Sequence, residues 1–387
     1  MTPAQVFPFS FQAAEGLLEV AVTETVALFW PENAKPLRAL ILAGSLARSE
    51  GSWIPSPTGA VLLGDAECLC LLPDGAALPS ARVLALLHAT IQQRLACEGL
   101  SAAVTLTPVR EQYLRSLPAH IFGYELRQTG RVLWGDAQCL RRIPDYGAAA
   151  LPRADAWRLL CNRLVELLPT ALAAKPPRLT PLGVYPWVKL YLDMATSFLV
   201  FSGGYAPSYE ERARNLRRAA GGGNTWATPA LVRQVEACTA WKLAPTSEVA
   251  DLFPPGFPAL AMQRAEQLWC WQLAQMTHTS PGQARAELWR RWLRRQSLRS
   301  RVRGWASAAR HSGLKLQQWT HWLPMAWHAS PRHWIYEAAA ELAFNPSPGL
   351  RHPPRLPLPP AQRPATPAEL ALCLRENFYR VVQSTRA

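Results

Sequence analysis

The chain has 387 residues, 49% of them hydrophobic and 18% charged, a balance that excludes a disordered polyampholyte and allows a buried core without disulfides or a structural metal. Lys and Arg total 41 against 27 Asp and Glu, and the surplus is unevenly placed: residues 1–150 carry 11 basic and 13 acidic side chains, the remainder 30 and 14. At roughly 150 residues per domain the length predicts two domains, the second either facing an acidic partner or presenting a well-charged helical surface to water.

In chain order, helical periodicity runs from Ala13 to Phe29, with Leu17, Val20, Ala21, Thr25 and Leu28 on one side. An apolar strand over Ala39–Leu42 leads into Gly44 and Ser45 at the start of a second helical stretch. Gly59–Leu72 reads as the next strand, Leu78–Cys97 as a helix, Ala102–Val109 as a third strand and Arg131–Trp134 as a short edge after the Thr129-Gly130 turn. This alternation predicts an α/β (α+β) domain with a mixed sheet over residues 1–150. Beyond it strand signals stop, and a mostly α-helical domain is expected over 151–344. Asp155 is a candidate cap for a helix with Leu159, Leu160, Leu164, Leu167 and Leu168 on its face. Trp187–Phe201 is apolar nearly all round, so a buried helix ending at Gly203-Gly204 is expected. Ser208 and Glu211 form a capping box for a helix to Arg218, the triple glycine Gly221–Gly223 marks a loop, and Gln263–Met276 and Ala284–Trp305 read as further helices. Nine prolines between Asn345 and Pro367 predict an extended linker over 345–366, whose Arg355–Pro360 run also has the composition of a ligand for a proline-binding groove. Thr366, Pro367 and Glu369 then open a C-terminal amphipathic helix over 367–387.

No run reaches the roughly 18 apolar residues that a membrane span needs. The first basic residue is Lys35, and the apolar stretch from Leu17 is broken by Glu19, Thr23 and Glu24, so no secretory pattern is present and a cytoplasmic protein is expected. The eight cysteines contain no CxxC pair and read as free thiols, Cys68 and Cys70 as core side chains on one face of a strand.

The residues that carry chemistry are Leu42-Ala43-Gly44-Ser45-Leu46-Ala47-Arg48 and, on the next strand, Gly64-Asp65-Ala66-Glu67. Gly44 leaves backbone N–H groups open at a helix start, where an anion is favoured, and Ser45 adds a hydroxyl donor. Asp65 and Glu67 lie two apart on a strand, so both carboxylates share one face with Cα atoms roughly 6.6 Å apart, a spacing suited to one or two Mg²⁺ ions bridging phosphate oxygens. A strand, a Gly-Ser turn and an acidic pair in this order resemble the polymerase-β-like nucleotidyltransferase superfamily. Phe122–Leu126 through Gly130–Asp136 look like the stretch that closes such domains, and Asn162-Arg163 with Gly204-Tyr205 and Ser208–Arg212 resemble the helical domains that follow them in small-substrate members.

The resemblance implies an enzyme that moves a nucleoside monophosphate from a nucleoside triphosphate, ATP being the expected donor, to a hydroxyl of a small-molecule or saccharide acceptor. It makes Gly44 and Ser45 the triphosphate cradle and Asp65 and Glu67 the Mg²⁺ ligands and catalytic pair. Arg48 and Lys189, the one lysine in an otherwise apolar helix, are candidate phosphate contacts. Family members usually take a third carboxylate from the next long strand. Here that strand reads Val104-Thr105-Leu106-Thr107-Pro108, and Glu111 and Glu125 are the substitutes to consider. The alternatives are a catalytically degenerate nucleotide-binding or scaffold protein and an RNA-end-modifying transferase.

Arg285–Trp319 holds ten basic residues, nine of them Arg, against the single Glu287, with Trp289, Trp292 and Trp305 interleaved. Such a segment suits nucleic acid, an anionic membrane surface or an acidic protein, or else packs its tryptophans inward and leaves arginines to water. His321, His328 and His333 fit no metal spacing.

Overall fold

The computed structural model describes residues 3–29, 37–173, 179–220, 226–249, 252–254, 256–280, 282–312, 319–345, 356–357 and 364–382. Helix α1 (Pro3–Leu28) precedes strand β1 (Ala39–Ala43), the single turn α2 (Gly44–Ala47), β2 (Trp53–Ser56), the long β3 (Gly59–Leu72), α3 (Ala81–Cys97), β4 (Leu100–Arg110), α4 (Glu111–Arg115), α5 (Ile121–Thr129) and β5 (Arg131–Gly135). Helices alone follow: α6 (Arg153–Ala171), α7 (Pro181–Ser202), α8 (Tyr209–Ala220), α9 (Pro229–Leu243), α10 (Phe257–Thr277), α11 (Arg285–Arg294), α12 (Leu298–Ser312), α13 (Trp319–His328), α14 (Pro331–Phe344) and α15 (Pro367–Val381). The chain is thus a mixed α+β protein, and none of the described helices is long and apolar enough to cross a membrane.

β3 is the axis of the sheet. β4 runs parallel along one edge, from Ala60 to Leu72 of β3. The other edge is shared: β2 pairs antiparallel with Gly59–Leu62, and β1 pairs antiparallel with Glu67–Leu71. β5 lies antiparallel outside β1. Trp53–Ser56 forms a strand because these residues find backbone partners in the first four residues of β3.

Alternation along β3 sorts its side chains. Leu62, Ala66, Cys68, Cys70 and Leu72 enter one core beneath α1 and α3 with Leu17, Leu40, Leu42 and Ile91. Leu69 and Leu71 point the other way, under Leu114, Leu117 and Leu126 of the α4–α5 segment. Leu63, on that second face, joins the core of the helical half. All eight cysteines are free, and burial pushes the thiols of Cys68 and Cys70 up to about 12, as core side chains require.

Several helix ends follow the expected cap chemistry. Ser208 Oγ accepts from the Glu211 amide at 3.2 Å and Thr366 Oγ1 from the Glu369 amide at 3.2 Å. Gly203 closes α7 at φ +78°, a left-handed position that glycine takes without a Cβ penalty. Other expectations need correction. Asp155 does not cap α6, which begins after Pro152; its carboxylate accepts from the Ile121 amide at 2.9 Å and ties α6 to the start of α5. The long helix expected over Ala284–Trp305 breaks at residues 295–297 into α11 and α12. The triple glycine and most of the proline-rich segment lie outside the described residues. Leu356 is buried, and the Pro357 carbonyl accepts from Trp322 Nε1 at 2.6 Å, so this part of the linker is pinned on the helical core rather than free for a partner. Helix α15 packs on α6 and α14 through Leu370, Leu374 and Phe378.

The helical core centres on Trp157, whose ring lies 5.6–6.1 Å from those of Trp269, Trp289, Trp292 and Tyr336. His333 is buried in the same cluster, bonded to Ser330 Oγ at 2.8 Å, and burial lowers its imidazole to about 3, so it stays neutral and structural. Replacing Trp157 by Ala removes a fully buried ring that four elements share. It should cost about 3–5 kcal/mol of stability, read from urea unfolding followed by circular dichroism.

Candidate active site between the sheet and the helical half

Asp65 and Glu67 occupy the stretch of β3 that neither core covers. On their face, Leu63 is claimed by the helical half and Leu69 and Leu71 by α4–α5, while Asp65 is half-buried and Glu67 exposed. The gap between two apolar contacts thus holds the acidic pair. The β1–β3 register sets Ala43 opposite Glu67, so the chain leaves β1 directly beside the carboxylates. Gly44 turns there at φ +70°, and a Cβ on it would stand 3.2 Å from Glu67 Oε2. Glycine is needed both for the backbone angle and for the space in front of the carboxylate. The helix that follows is only four residues long, so the dipole expected at its start is confined to one turn. The donors on offer are backbone N–H groups and the half-buried Ser45 hydroxyl.

Helix α7 approaches β3 next to the acidic pair. A Cβ at Gly64 would meet the Tyr185 hydroxyl at 3.0 Å, so α7 touches β3 one residue before Asp65. One turn along α7, Lys189 holds its ammonium 5.7 Å from the Tyr185 ring. Lys189 lies within electrostatic reach of Asp65, and also of Arg163, Glu166 and Asp193. Arg163 is itself bound, donating to Asp193 Oδ2 and Glu166 Oε2 at 2.6 Å each. The Arg163 charge and burial lower the Lys189 ammonium from its ordinary value, against the raising effect of the three carboxylates. Tyr379 of α15, half-exposed, also feels Asp65, Glu166 and Arg163.

The docking of the helical half rests on the segment just after the Gly-Ser turn. Arg48 donates from Nε to Glu50 Oε2 at 2.7 Å and from Nη1 to Glu125 Oε2 at 2.9 Å. Glu125 also accepts from Tyr205 and Arg212 of the helical half. Glu50 Oε1 accepts from the Tyr209 amide at 2.8 Å, and Ser52 Oγ donates to the Lys242 carbonyl at 2.7 Å. Burial alone would raise the Glu125 carboxyl; Arg212 and Arg48 outweigh it and hold the group below the usual carboxylate range. Two guanidinium groups thus face two carboxylates. Lys242, only 1% exposed, has no carboxylate left for it and donates from Nζ to the Glu50 carbonyl at 2.6 Å. Desolvation, with the nearby Lys189 charge, brings its ammonium down to about 7.

Of the six site residues expected from sequence, Gly44, Ser45, Asp65 and Glu67 lie together in the sheet half, and Lys189 of α7 is within electrostatic reach of Asp65. The sixth, Arg48, does not face the gap; its guanidinium is buried against Glu50 and Glu125, so its role is to hold the two halves together. The proposed substitutes for a third acid are also engaged elsewhere. Glu125 is the centre of that clamp, and Glu111 pairs with Arg142 at 2.5 Å. The β4 register sets Ala103 beside Asp65 and Thr105 beside Glu67, so the neighbouring strand brings no carboxylate to this face.

Among the described residues no group of three or more His, Cys, Asp or Glu could hold a metal ion alone. Two carboxylates on one strand face, with Gly44 leaving no Cβ against Glu67, fit Mg²⁺, which takes one or two protein carboxylates and completes its shell with water and phosphate oxygens. Lys242 and Tyr185 were not expected from sequence. The signal that marks Lys189, a lone lysine in an apolar helical stretch, is also present at Trp241-Lys242-Leu243. No family model, curated protein or solved structure matches the chain.

Lys242 makes a pH dependence. Unfolded, the amine keeps its proton to its ordinary value of 10.5; folded, it loses it at about 7. Between those values the unfolded chain binds the extra proton, so this group makes stability rise with pH by up to about 1.4 kcal/mol per unit, and below pH 7 its penalty is constant. Guanidinium unfolding at pH 7.0 and 8.5 should show this rise in the native protein and its loss in Lys242→Met; equal slopes in the two proteins would contradict it.

Proposed function

We propose that the protein is a Mg²⁺-dependent nucleotidyltransferase that moves a nucleoside monophosphate from a nucleoside triphosphate to a hydroxyl of a small-molecule or saccharide acceptor. The observation that carries this reading is the placement of the Gly44-Ser45 turn beside Glu67, with Asp65 two residues away on the same face of β3 and within electrostatic reach of Lys189, a residue more than a hundred positions away in sequence. Carboxylates, an ammonium and backbone donors in one region are the complement of a metal–triphosphate complex.

In this reading Asp65 and Glu67 hold Mg²⁺, which when bound neutralises phosphate charge and polarises the reacting phosphoryl group. The Gly44 and Ser45 amides and the Ser45 hydroxyl orient the phosphate chain, and Lys189 sets a positive charge within reach of Asp65. The acceptor oxygen forms a bond to the α-phosphorus, the bond from that phosphorus to the bridging oxygen breaks, pyrophosphate leaves with the electron pair and the hydroxyl proton is released. Catalysis rests on positioning and charge, so the small number of polar groups is adequate.

A second reading, binding of nucleotide without transfer, draws support from β4, where Ala103 and Thr105 stand beside the acidic pair and neither can act as a base at neutral pH. The two readings separate in one experiment. Pyrophosphate release from ATP with hydroxyl acceptors should require Mg²⁺, vanish in Asp65→Asn and fall roughly 10²–10³-fold in kcat/KM in Lys189→Met. Undiminished turnover in Asp65→Asn would sink the assignment, and ATP binding by calorimetry with no pyrophosphate from any acceptor would select the second reading.

A further inference from the structure

The basic segment divides once its side chains are located. Trp289, Trp292 and Trp305 are buried, packed in the helical core. The aromatic groups that would stack on nucleic-acid bases are therefore turned inward. Some arginines are also spent on the fold. Arg285 pairs with Glu266 and Glu341, and Arg301 donates to the carbonyls of Trp327, Leu293 and Gln296.

What remains outside is a mixture of cations and apolar groups. On α12, Leu298 and Val302 lie one turn apart and are 63% and 59% exposed. Arg299, Arg303 and Arg310 follow at helical spacing on a second line, about 100° round the same helix, exposed and without an ion pair among the described residues. Arg301 Nη1 donates to the Trp327 carbonyl at 2.7 Å, which fixes the end of α13 against the first turns of α12. There Leu323 and Trp327, again one turn apart, are 65% and 74% exposed. No Asp or Glu occurs anywhere between Glu287 and Glu337, so nothing on these two helices offsets the charge.

We propose that the α12–α13 corner docks on an anionic lipid surface, the apolar side chains entering the acyl boundary and the arginines meeting the headgroup phosphates. Exposed aliphatic side chains add nothing to a phosphodiester backbone but are the element that an interfacial helix requires. Arginines flanking them supply attraction to a negative leaflet, and an exposed Trp suits the polar–apolar boundary. The contact is peripheral, since none of the described helices can span a bilayer. It is independent of the chemistry assigned to Asp65 and Glu67.

The full-length protein should co-sediment with phosphatidylserine–phosphatidylcholine vesicles and not with pure phosphatidylcholine, and the binding should weaken steeply as NaCl rises. Arg299→Gln and Arg303→Gln should each weaken it roughly five-fold at low salt. Leu298→Asp with Val302→Asp should abolish it. All four residues are exposed, so thermal unfolding of the variants should match the native protein. As a check that avoids introduced charge, Trp327→Ala should weaken binding and leave folding unchanged. Vesicle binding that ignores lipid charge or survives the Leu298 and Val302 changes would overturn the proposal, as would absence of vesicle binding together with capture of a single-stranded oligonucleotide.

Discussion

The carboxylate of Glu125 lies between two guanidinium groups, Arg48 from the sheet half and Arg212 from the helical half, with the Tyr205 hydroxyl as a third donor. That charge sandwich decides how the two halves meet. Arg48 and Glu50 belong to the segment that leaves the Gly44-Ser45 turn, so the clamp that docks the helical half is built next to that turn. Buried ion pairs add little net stability over apolar packing, but losing one partner strands the other in a poor solvent, which makes the arrangement specific. The same docking brings Tyr185 against Gly64, one residue before Asp65.

Charge balance in the clamp also explains Lys242. With Glu50 and Glu125 already matched by Arg48 and Arg212, a third cation in the same buried region has only a backbone carbonyl to meet. Losing its proton near neutrality is the cheaper state. Lys189 differs in kind, being half-buried by surface exposure and within electrostatic reach of Asp65, Glu166 and Asp193 as well as of Arg163. One lysine serves the joint; the other stands among carboxylates that include Asp65.

The positive excess of the chain has separate destinations. Arginines of α8 and α11 are partly consumed by ion pairs such as Arg212–Glu125 and Arg285–Glu266, whereas Arg299, Arg303 and Arg310 of α12 are exposed on the helix that carries exposed Leu298 and Val302. The acidic pair on β3 and the basic corner on α12–α13 belong to different parts of the molecule and place separate demands on it.

Much of this was legible in the sequence. Period-two alternation in β3 and the helical period beyond residue 150 are local properties, set by backbone geometry, so the mixed sheet, the helical half and the capping boxes at Ser208 and Thr366 could be read directly. The adjacency of Gly44-Ser45 to Asp65-Glu67 was also readable, because two strands joined by a short excursion tend to pair. Tertiary structure alone decided the rest. Arg48 turned from the expected phosphate contact into a clamp because Glu125, 77 residues away, reached it first. Trp53–Ser56 became a strand by finding a partner edge, and Trp289, Trp292 and Trp305 went inside while Arg299, Arg303 and Arg310 stayed exposed. Long-range burial and pairing of charges depend on which surfaces meet, and a linear pattern of residue types does not carry that information.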